Sequence, residues 1–202
     1  MNNKLQLTLK RTTPLEVTQE VERTQRLRRE YCENLQAEGV NHTDNCIFVD
    51  ETGFNSCMVP GRARSKKNKG TTDRFIFGEF VAQLLKSLDE QYGRPMIVIM
   101  DNAKFHKSEN VAEIFENSQH KAHFLPPYSP MFNPIESCFS KLKNHVKRSP
   151  RKGKAAMLNL IKEAGDTITA QDCNGWTRHC KENINKCMRG ENVTFDCQDN
   201  AV

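Results

Sequence analysis

The sequence predicts an α/β fold, in which a sheet of parallel strands is flanked by helices. Three short apolar runs alternate with two segments of helical periodicity, in the order strand, helix, strand, helix, strand. This alternation is typical of layered α/β proteins whose neighbouring strands run parallel. From Asn133 onward the pattern is helical, which predicts a helical C-terminal extension. The length of 202 residues suits one ordinary domain with such additional segments.

Each strand is predicted by a short apolar run with polar or helix-ending residues around it. Residues 46–50 (CIFVD) form the first strand and residues 96–101 (MIVIMD) form the second. The third strand spans residues 122–125 and is closed by Pro126 and Pro127.

The helices are predicted from apolar residues at helical spacing and from residues that begin or end helices. Ser108 is a suitable N-cap, and Gly93-Arg94-Pro95 ends the helix before the second strand. Residues 190–202 are expected to be loose. The predicted helices span residues 14–37, 73–92, 108–115, 134–148, 153–168 and 170–189.

The composition excludes several classes of protein. A hydrophobic fraction of 37% and a charged fraction of 27% are typical of globular chains. The longest apolar runs, at 46–49 and 96–100, are far shorter than the roughly 20 residues that span a bilayer, so no membrane partner is expected. Residues 1–11 contain no apolar signal-peptide core, so we expect a protein that is not secreted and lies in a reducing compartment.

The eight cysteines show neither a CxxC pair nor a compact Cys/His block. Structural zinc and a disulfide framework are therefore not expected. Cys173, Cys180 and Cys187 recur every seven residues, which predicts a packed stripe near Trp176 on one helix face.

Positive charge is clustered, although the net charge is only +5. One cluster lies in residues 61–70 and the other runs from 141 to 154. Either cluster could contact phosphate, and either could equally be a solvated loop or helix face. The candidate DNA-binding residues are Arg62, Arg64, Lys66, Lys67, Lys141, Lys143, Lys147 and Arg148.

Three acidic residues form a candidate metal site. Asp50 and Asp101 end the first two strands, and parallel neighbours would bring both carboxylates to one edge of the sheet. Glu136 begins a helix after the third strand and could reach the same edge. Three carboxylates suit Mg²⁺, and two such ions can act on both oxygens of a phosphodiester that is being cleaved.

Each acid also has a simpler interpretation. Acidic residues are common at strand ends, and Asn133-Pro134-Ile135-Glu136 is a near-ideal helix start in which capping alone would explain Glu136. Glu51 follows Asp50, and alternation along a strand would point its side chain to the opposite side, so Glu51 is not counted as a ligand.

Three motifs resemble the catalytic motifs of mariner-superfamily DDE transposases. They are VDETGFN (49–55), IVIMDNAKFHKS (97–108) and LPPYSPMFNPIE (125–136), in the family's order. The 34 residues between Asp101 and Glu136 are similar to the spacing in one large branch of that superfamily. The resemblance covers residues 46–148, with a weaker similarity of TLKR (8–11) to the family's interdomain linker.

The resemblance implies a ribonuclease H-like fold, a mixed sheet flanked by helices, in which Asp50, Asp101 and Glu136 are catalytic and hold two Mg²⁺ or Mn²⁺ ions. It implies DNA cleavage and joining, with element ends and target DNA as partners. Asn102 and His106 would support the metal ligands or the scissile phosphate, and Asn133 would have a supporting role as the cap of the catalytic helix. Homo-oligomerisation is expected by analogy alone.

The same resemblance divides the chain into three parts. Residues 1–45 would be a linker and N-terminal helix, 46–148 the catalytic domain, and 149–202 a helical extension with a loose tail. Residues 147–154 could be a nuclear import signal or a phosphate-binding surface. The expected location is the nucleus in a eukaryotic host, and otherwise the cytoplasm with the nucleoid.

The sequence departs from the family pattern in two places. Only 50 residues separate Asp50 from Asp101, and we find no complete pair of the antiparallel strands that the family has there. Part of a β-hairpin is therefore expected to be missing. The 45 residues before the first strand are too few for two helix-turn-helix modules. Two functions stay open: an active transposase domain, and a catalytically inactive, truncated or domesticated DNA-binding or interaction protein.

Overall fold

The computed structural model describes residues 17–54, 74–148 and 153–193. These residues form a three-stranded sheet and six α-helices. The family-like segment at residues 8–11, the expected hairpin and basic cluster between residues 55 and 73, and the tail from residue 194 lie outside the described residues.

All of the predicted elements are present, and within the described residues their boundaries differ from the predicted ones by up to two residues. A short 3-10 helix precedes α4, where no element was predicted. The strands are β1 (Cys46–Val49), β2 (Ile97–Met100) and β3 (Lys121–Phe124); the helices are α1 (Val17–Ala37), α2 (Arg74–Tyr92), α3 (Glu109–Glu116), α4 (Ile135–Arg148), α5 (Gly153–Asp166) and α6 (Ala170–Met188); the 3-10 helix is Pro130–Phe132.

The sheet has the order β1-β2-β3, and both pairs of strands are parallel. The predicted parallel arrangement is thus confirmed, and the described sheet has no antiparallel strand that would make it mixed. The register places Val49 beside Met100, and Met100 beside Phe124. The residues that follow these three strands therefore come together at one edge of the sheet.

Side chains of β2 alternate between two faces of the sheet, and each face is covered by its own helices. Ile97 and Ile99 pack with apolar residues of α1 and α6. Val98 and Met100 pack with α2 and α3. Because all four side chains are buried, the central strand has no alternation of apolar and polar residues, as expected of a parallel strand covered on both sides.

Helices α2 and α3 approach each other closely at Gly78. A Cβ atom at this position would collide with the side chain of Asn110. This close approach gives a physical reason for a glycine inside α2, where it otherwise weakens a helix relative to alanine. On the other side of the molecule, α4 and α5 share a small cluster that contains Val146, Met157 and Ala164.

Helices α1 and α6 contact each other and belong to the same core as the sheet. Cys180 and Cys187 are buried in that core, whereas Cys173, the third member of the predicted stripe, is exposed. The division of the chain at residues 45 and 148 stays a prediction. Within the described ranges, no helix is long and apolar enough to cross a membrane.

Candidate active site

The three acidic residues selected from the sequence line one open cleft at the carboxyl edge of the sheet. Asp50 directly follows β1, Asp101 directly follows β2, and Glu136 lies in the first turn of α4. The cleft has a volume of about 390 Å³. Its other walls are formed by residues 102–103 and by the loop from Leu125 to Pro130. The parallel register of β1 and β2 is what places the two aspartates side by side.

Asp50 is held by two hydrogen bonds. Its Oδ1 accepts from the backbone N–H of Glu51 at 2.8 Å, and its Oδ2 accepts from Nδ2 of Asn133 at 3.1 Å. Burial raises the pKa of Asp50 to about 6, and the negative charges of Glu136, Asp101 and Glu51 act in the same direction. The hydrogen bond from Glu51 opposes this rise without cancelling it. The edge of the sheet is therefore crowded with negative charge.

Asn133 connects Asp50 to the start of α4. Its side chain is almost completely buried, and its Oδ1 accepts from the backbone N–H of Ile135 at 3.3 Å, as expected of a helix cap. The backbone N–H of Asn133 donates to the carbonyl of Pro130 at 2.9 Å, so it is not used by Glu136 in a capping box. The simpler interpretation of Glu136 as a capping residue thus loses its support, and its side chain faces the cleft.

His106 lies between two carboxylates. Its Nδ1 is 2.6 Å from Oδ1 of Asp101, and its Nε2 is 3.1 Å from Oε1 of Glu51. The imidazole is fully buried and packs against the rings of Phe77 and Phe105. Burial lowers the pKa of His106, but the hydrogen bond and charge of Glu51, together with Asp101, outweigh burial and raise it overall. These contacts fix the orientation of the imidazole toward Asp101, which is one of the candidate metal ligands.

Glu51 is the residue of this site that sequence reasoning missed. Alternation along a strand does not apply to it, because β1 ends at Val49 and the chain is irregular from Asp50 onward. Asn102, another of the supporting residues proposed from sequence, is exposed and lines the cleft. The turn after β2 is stabilised by Asp101, whose Oδ1 accepts from the N–H of Ala103 at 2.9 Å.

The cleft suits a hard divalent cation in its chemistry. The described residues that line it include three carboxylates but no lysine or arginine that could neutralise them. Within residues 17–54, 74–148 and 153–193, no three acidic, histidine or cysteine side chains are grouped closely enough to hold a metal ion between them. Mg²⁺ commonly binds through one or two carboxylates and keeps several waters, so an open acidic cleft of oxygen donors fits such an ion.

The basic residues proposed from sequence to bind DNA differ in their contacts and in their exposure to solvent. Lys141 forms an ion pair with Asp172, the residue that completes the capping box of α6. Lys143 lies over the ring of Phe139, and Lys147 and Arg148 are exposed. The other four, Arg62, Arg64, Lys66 and Lys67, lie outside the described residues.

Comparisons with known proteins agree with this geometry. Residues 68–158 match the model of the DDE superfamily endonuclease family, a range that includes Asp101 and Glu136 and begins after Asp50. A search of curated proteins found no match.

Among solved structures, the fold is similar to the catalytic domain of Mos1 mariner transposase, with a TM-score of 0.70, 14% identity, and coverage of 92% of this chain and 100% of that one. The same domain with raltegravir and Mn gives a TM-score of 0.68 at 14% identity, with the same coverage of both chains. The Mos1 paired-end complex with Mn gives a TM-score of 0.66 at 14% identity, and covers 96% of this chain and 69% of that one.

The fold is therefore that of a ribonuclease H-like transposase catalytic domain, which confirms the fold class expected from the resemblance. Over residues 68–158 the chain is similar to DDE superfamily endonucleases. The motifs that contain Asp50, Asp101 and Glu136 agree with this similarity and with the likeness of the fold to the Mos1 catalytic domain.

Proposed function

We propose that this chain is a transposase-type DNA endonuclease and strand transferase that uses an Asp-Asp-Glu site. The observation that carries the proposal is the shared cleft: Asp50, Asp101 and Glu136 come from three different elements and line one open, acidic surface. Such a surface repels a phosphodiester unless cations intervene, so its negative charge is explained by a requirement for metal.

The three carboxylates would hold two Mg²⁺ or Mn²⁺ ions. When bound, the ions would activate water or a 3′ hydroxyl as nucleophile and neutralise the charge that develops on the phosphate. The protein's own part is positioning. Asn133 donates a hydrogen bond to Asp50, and His106 contacts the carboxylate of Asp101 through its Nδ1. The proline-rich loop forms a wall that excludes part of the solvent from the cleft.

DNA is the proposed partner, as element ends and as target. Helical geometry places Lys143 and Lys147, seven and eleven residues after Glu136, on the same face of α4 as that carboxylate. A phosphate backbone in the cleft could therefore follow this face of the helix. Solved Mos1 structures include a paired-end complex with a left transposon end. Assembly as a homo-oligomer and, in a eukaryotic host, residence in the nucleus belong to the same proposal.

The proposal is tested by nicking of supercoiled plasmid with purified protein in Mg²⁺ or Mn²⁺. Asp101→Asn preserves the shape of the side chain and removes its charge, and Asp166→Asn is the matched control at an exposed position at the end of α5. We expect metal-dependent nicking by the wild type and the control, and its loss in Asp101→Asn. A folded wild-type protein that binds DNA without cleaving it in either metal would refute the enzyme, and would favour a transposase-derived DNA-binding protein.

A further inference from the structure

Arg28 of α1 joins three separate parts of the chain through its guanidinium group. Its Nε donates to Oγ of Ser129 at 3.0 Å, and its Nη2 donates to the carbonyl of Tyr128 at 2.6 Å. Its Nη1 donates to the carbonyl of Val193 at 3.0 Å, beyond the end of α6. A planar guanidinium can make these bonds at fixed angles, whereas the single ammonium of a lysine cannot.

The loop that Arg28 contacts contains an unfavourable backbone conformation. Tyr128 has φ of +53°, in the left-handed region that non-glycine residues seldom adopt. Its side chain is 78% exposed, so packing of the ring does not hold it in place. Strained conformations of this kind persist where the surroundings determine them. Here the surroundings are hydrogen bonds: Arg28 binds Tyr128 and Ser129, and Oγ of Ser129 donates to the carbonyl of Pro127 at 3.0 Å.

The same loop leads directly to the cleft. Residues 126–130 form one of its walls, and the 3-10 helix that follows begins with Ser129 accepting from the N–H of Phe132 at 3.2 Å. Asn133 comes next and donates to Asp50, and Glu136 follows in α4. The conformation of the loop therefore determines where two of the cleft's polar side chains lie. Arg28 itself does not line the cleft; it binds the outer side of the loop.

We propose that Arg28 is a positioning residue for the candidate active site, holding the loop of residues 127–129 so that Asn133 and Glu136 reach the edge of the sheet. This inference rests on the proposed function for its effect on activity, but its effect on the loop can be measured without activity. It also gives α1, which was expected from the sequence to be part of a linker and N-terminal helix, a direct connection to the cleft.

The first test is hydrogen exchange measured by mass spectrometry on the full chain. Arg28→Gln removes the guanidinium N–H donors. Arg26→Gln is the matched control, because Arg26 lies on the same helix and, among the described residues, makes only an exposed ion pair with Glu30 at 3.7 Å. We expect the amides of Phe132 and Asn133 to exchange about tenfold faster in Arg28→Gln and to be unchanged in the control. Equal exchange in the two variants, or an increase spread evenly over the whole chain, would overturn the proposal.

The second test measures Mn²⁺ affinity by electron paramagnetic resonance, together with plasmid nicking. Arg28→Gln should lower both by about 10- to 100-fold, as loss of groups that orient metal ligands commonly does. Arg28→Lys should also lower Mn²⁺ affinity and nicking, because lysine keeps the positive charge but lacks the planar set of guanidinium N–H donors. If Arg28→Gln does not fold, Arg28→Lys carries the comparison, and a lysine variant that equals the wild type in exchange and affinity would overturn the proposal.

A rescue separates positioning from general stability. Glycine adopts positive φ without strain, so Tyr128→Gly should reduce the dependence of the loop on Arg28. We expect Arg28→Gln to cause a smaller loss of Mn²⁺ affinity in a Tyr128→Gly background than in the wild type. An equal loss in both backgrounds would contradict the proposed route through the loop. A wild type that binds Mn²⁺ but does not nick DNA would refute the proposed function alone, because the exchange and affinity comparisons would still decide the role of Arg28.

Discussion

Replacement of Asn133 by alanine tests whether this buried side chain holds the cleft together. The substitution removes two hydrogen bonds at once: the bond from Nδ2 to Asp50, and the bond from the N–H of Ile135 to Oδ1 at the start of α4. Asn133 is 4% exposed, so its side-chain amide makes both bonds largely out of contact with water. We therefore expect a loss of folding stability that an exposed asparagine would not produce.

The size of the loss can be worked out from the two bonds. A hydrogen bond to a charged group contributes about 1.5 to 3 kcal/mol, and a helix cap contributes about 0.5 to 2 kcal/mol. Asp50 is only half-buried and faces an open cleft, so water can partly replace its lost donor. A destabilisation of about 2 to 3 kcal/mol is therefore expected for Asn133→Ala.

Urea unfolding, followed by circular dichroism, measures this change. Asn133→Ser retains a cap acceptor and loses the bond to Asp50, so it should lie between the wild type and Asn133→Ala. Asn117→Ala is the control, because the side chain of Asn117 is exposed and, within the part of the chain that the structure describes, donates only to the carbonyl of Glu113 at 2.9 Å. A loss in Asn133→Ala within about 0.5 kcal/mol of the control would refute the reasoning.

A buried histidine, the basic face of α4 and the carboxylate beside His106 each lead to a further prediction. Burial lowers the pKa of His42 to about 4, so between pH 6.5 and 4 the unfolded chain binds more protons than the folded chain, and the folded state loses stability as the pH falls. His42→Phe should abolish about 3 kcal/mol of this acid destabilisation, measured by urea titrations at the two pH values. An unchanged pH dependence in the variant would contradict this prediction. Lys147→Gln should reduce the slope of log affinity against log salt concentration for duplex DNA by about 1, as measured by fluorescence anisotropy. Lys141→Gln should leave this slope unchanged, because Lys141 is paired with Asp172. Equal slopes in the two variants would argue against a phosphate contact at Lys147. Glu51→Gln should weaken Mn²⁺ binding about tenfold through His106, and full affinity in this variant would exclude a positioning role for Glu51.

The strands and helices could be predicted because their signals are local. The apolar runs that form β1 and β2 are short and bounded by turn-forming residues, and the full burial of β2 and the partial burial of β1 follow the hydrophobicity of these runs. The positions of Asp50 and Asp101 followed from the same pattern, because parallel neighbours end at one edge of the sheet. The cap of α4 at Asn133 could also be predicted from sequence, because a helix cap depends on residues within one turn.

The interpretation of Glu136 could not be decided from its neighbours. A helix start with Asn133 and a glutamate three residues later is compatible with a capping box and with a cleft residue. The structure separates these alternatives, because the N–H of Asn133 is bound to the carbonyl of Pro130, a contact set by the 3-10 helix before α4. Likewise, alternation predicted that Glu51 would point away from the site, but the strand had already ended at Val49.

The sequence by itself therefore determined the order of the elements, the parallel edge and the two aspartates at that edge, and it left the role of Glu136 open. The tertiary structure decided which side chains hold those acids. Asn133 meets Asp50 across 83 residues, His106 meets Glu51 across 55, and Arg28 meets Ser129 across 101. No local periodicity encodes such pairs, because each depends on how the sheet, the helices and the proline-rich loop pack around one another.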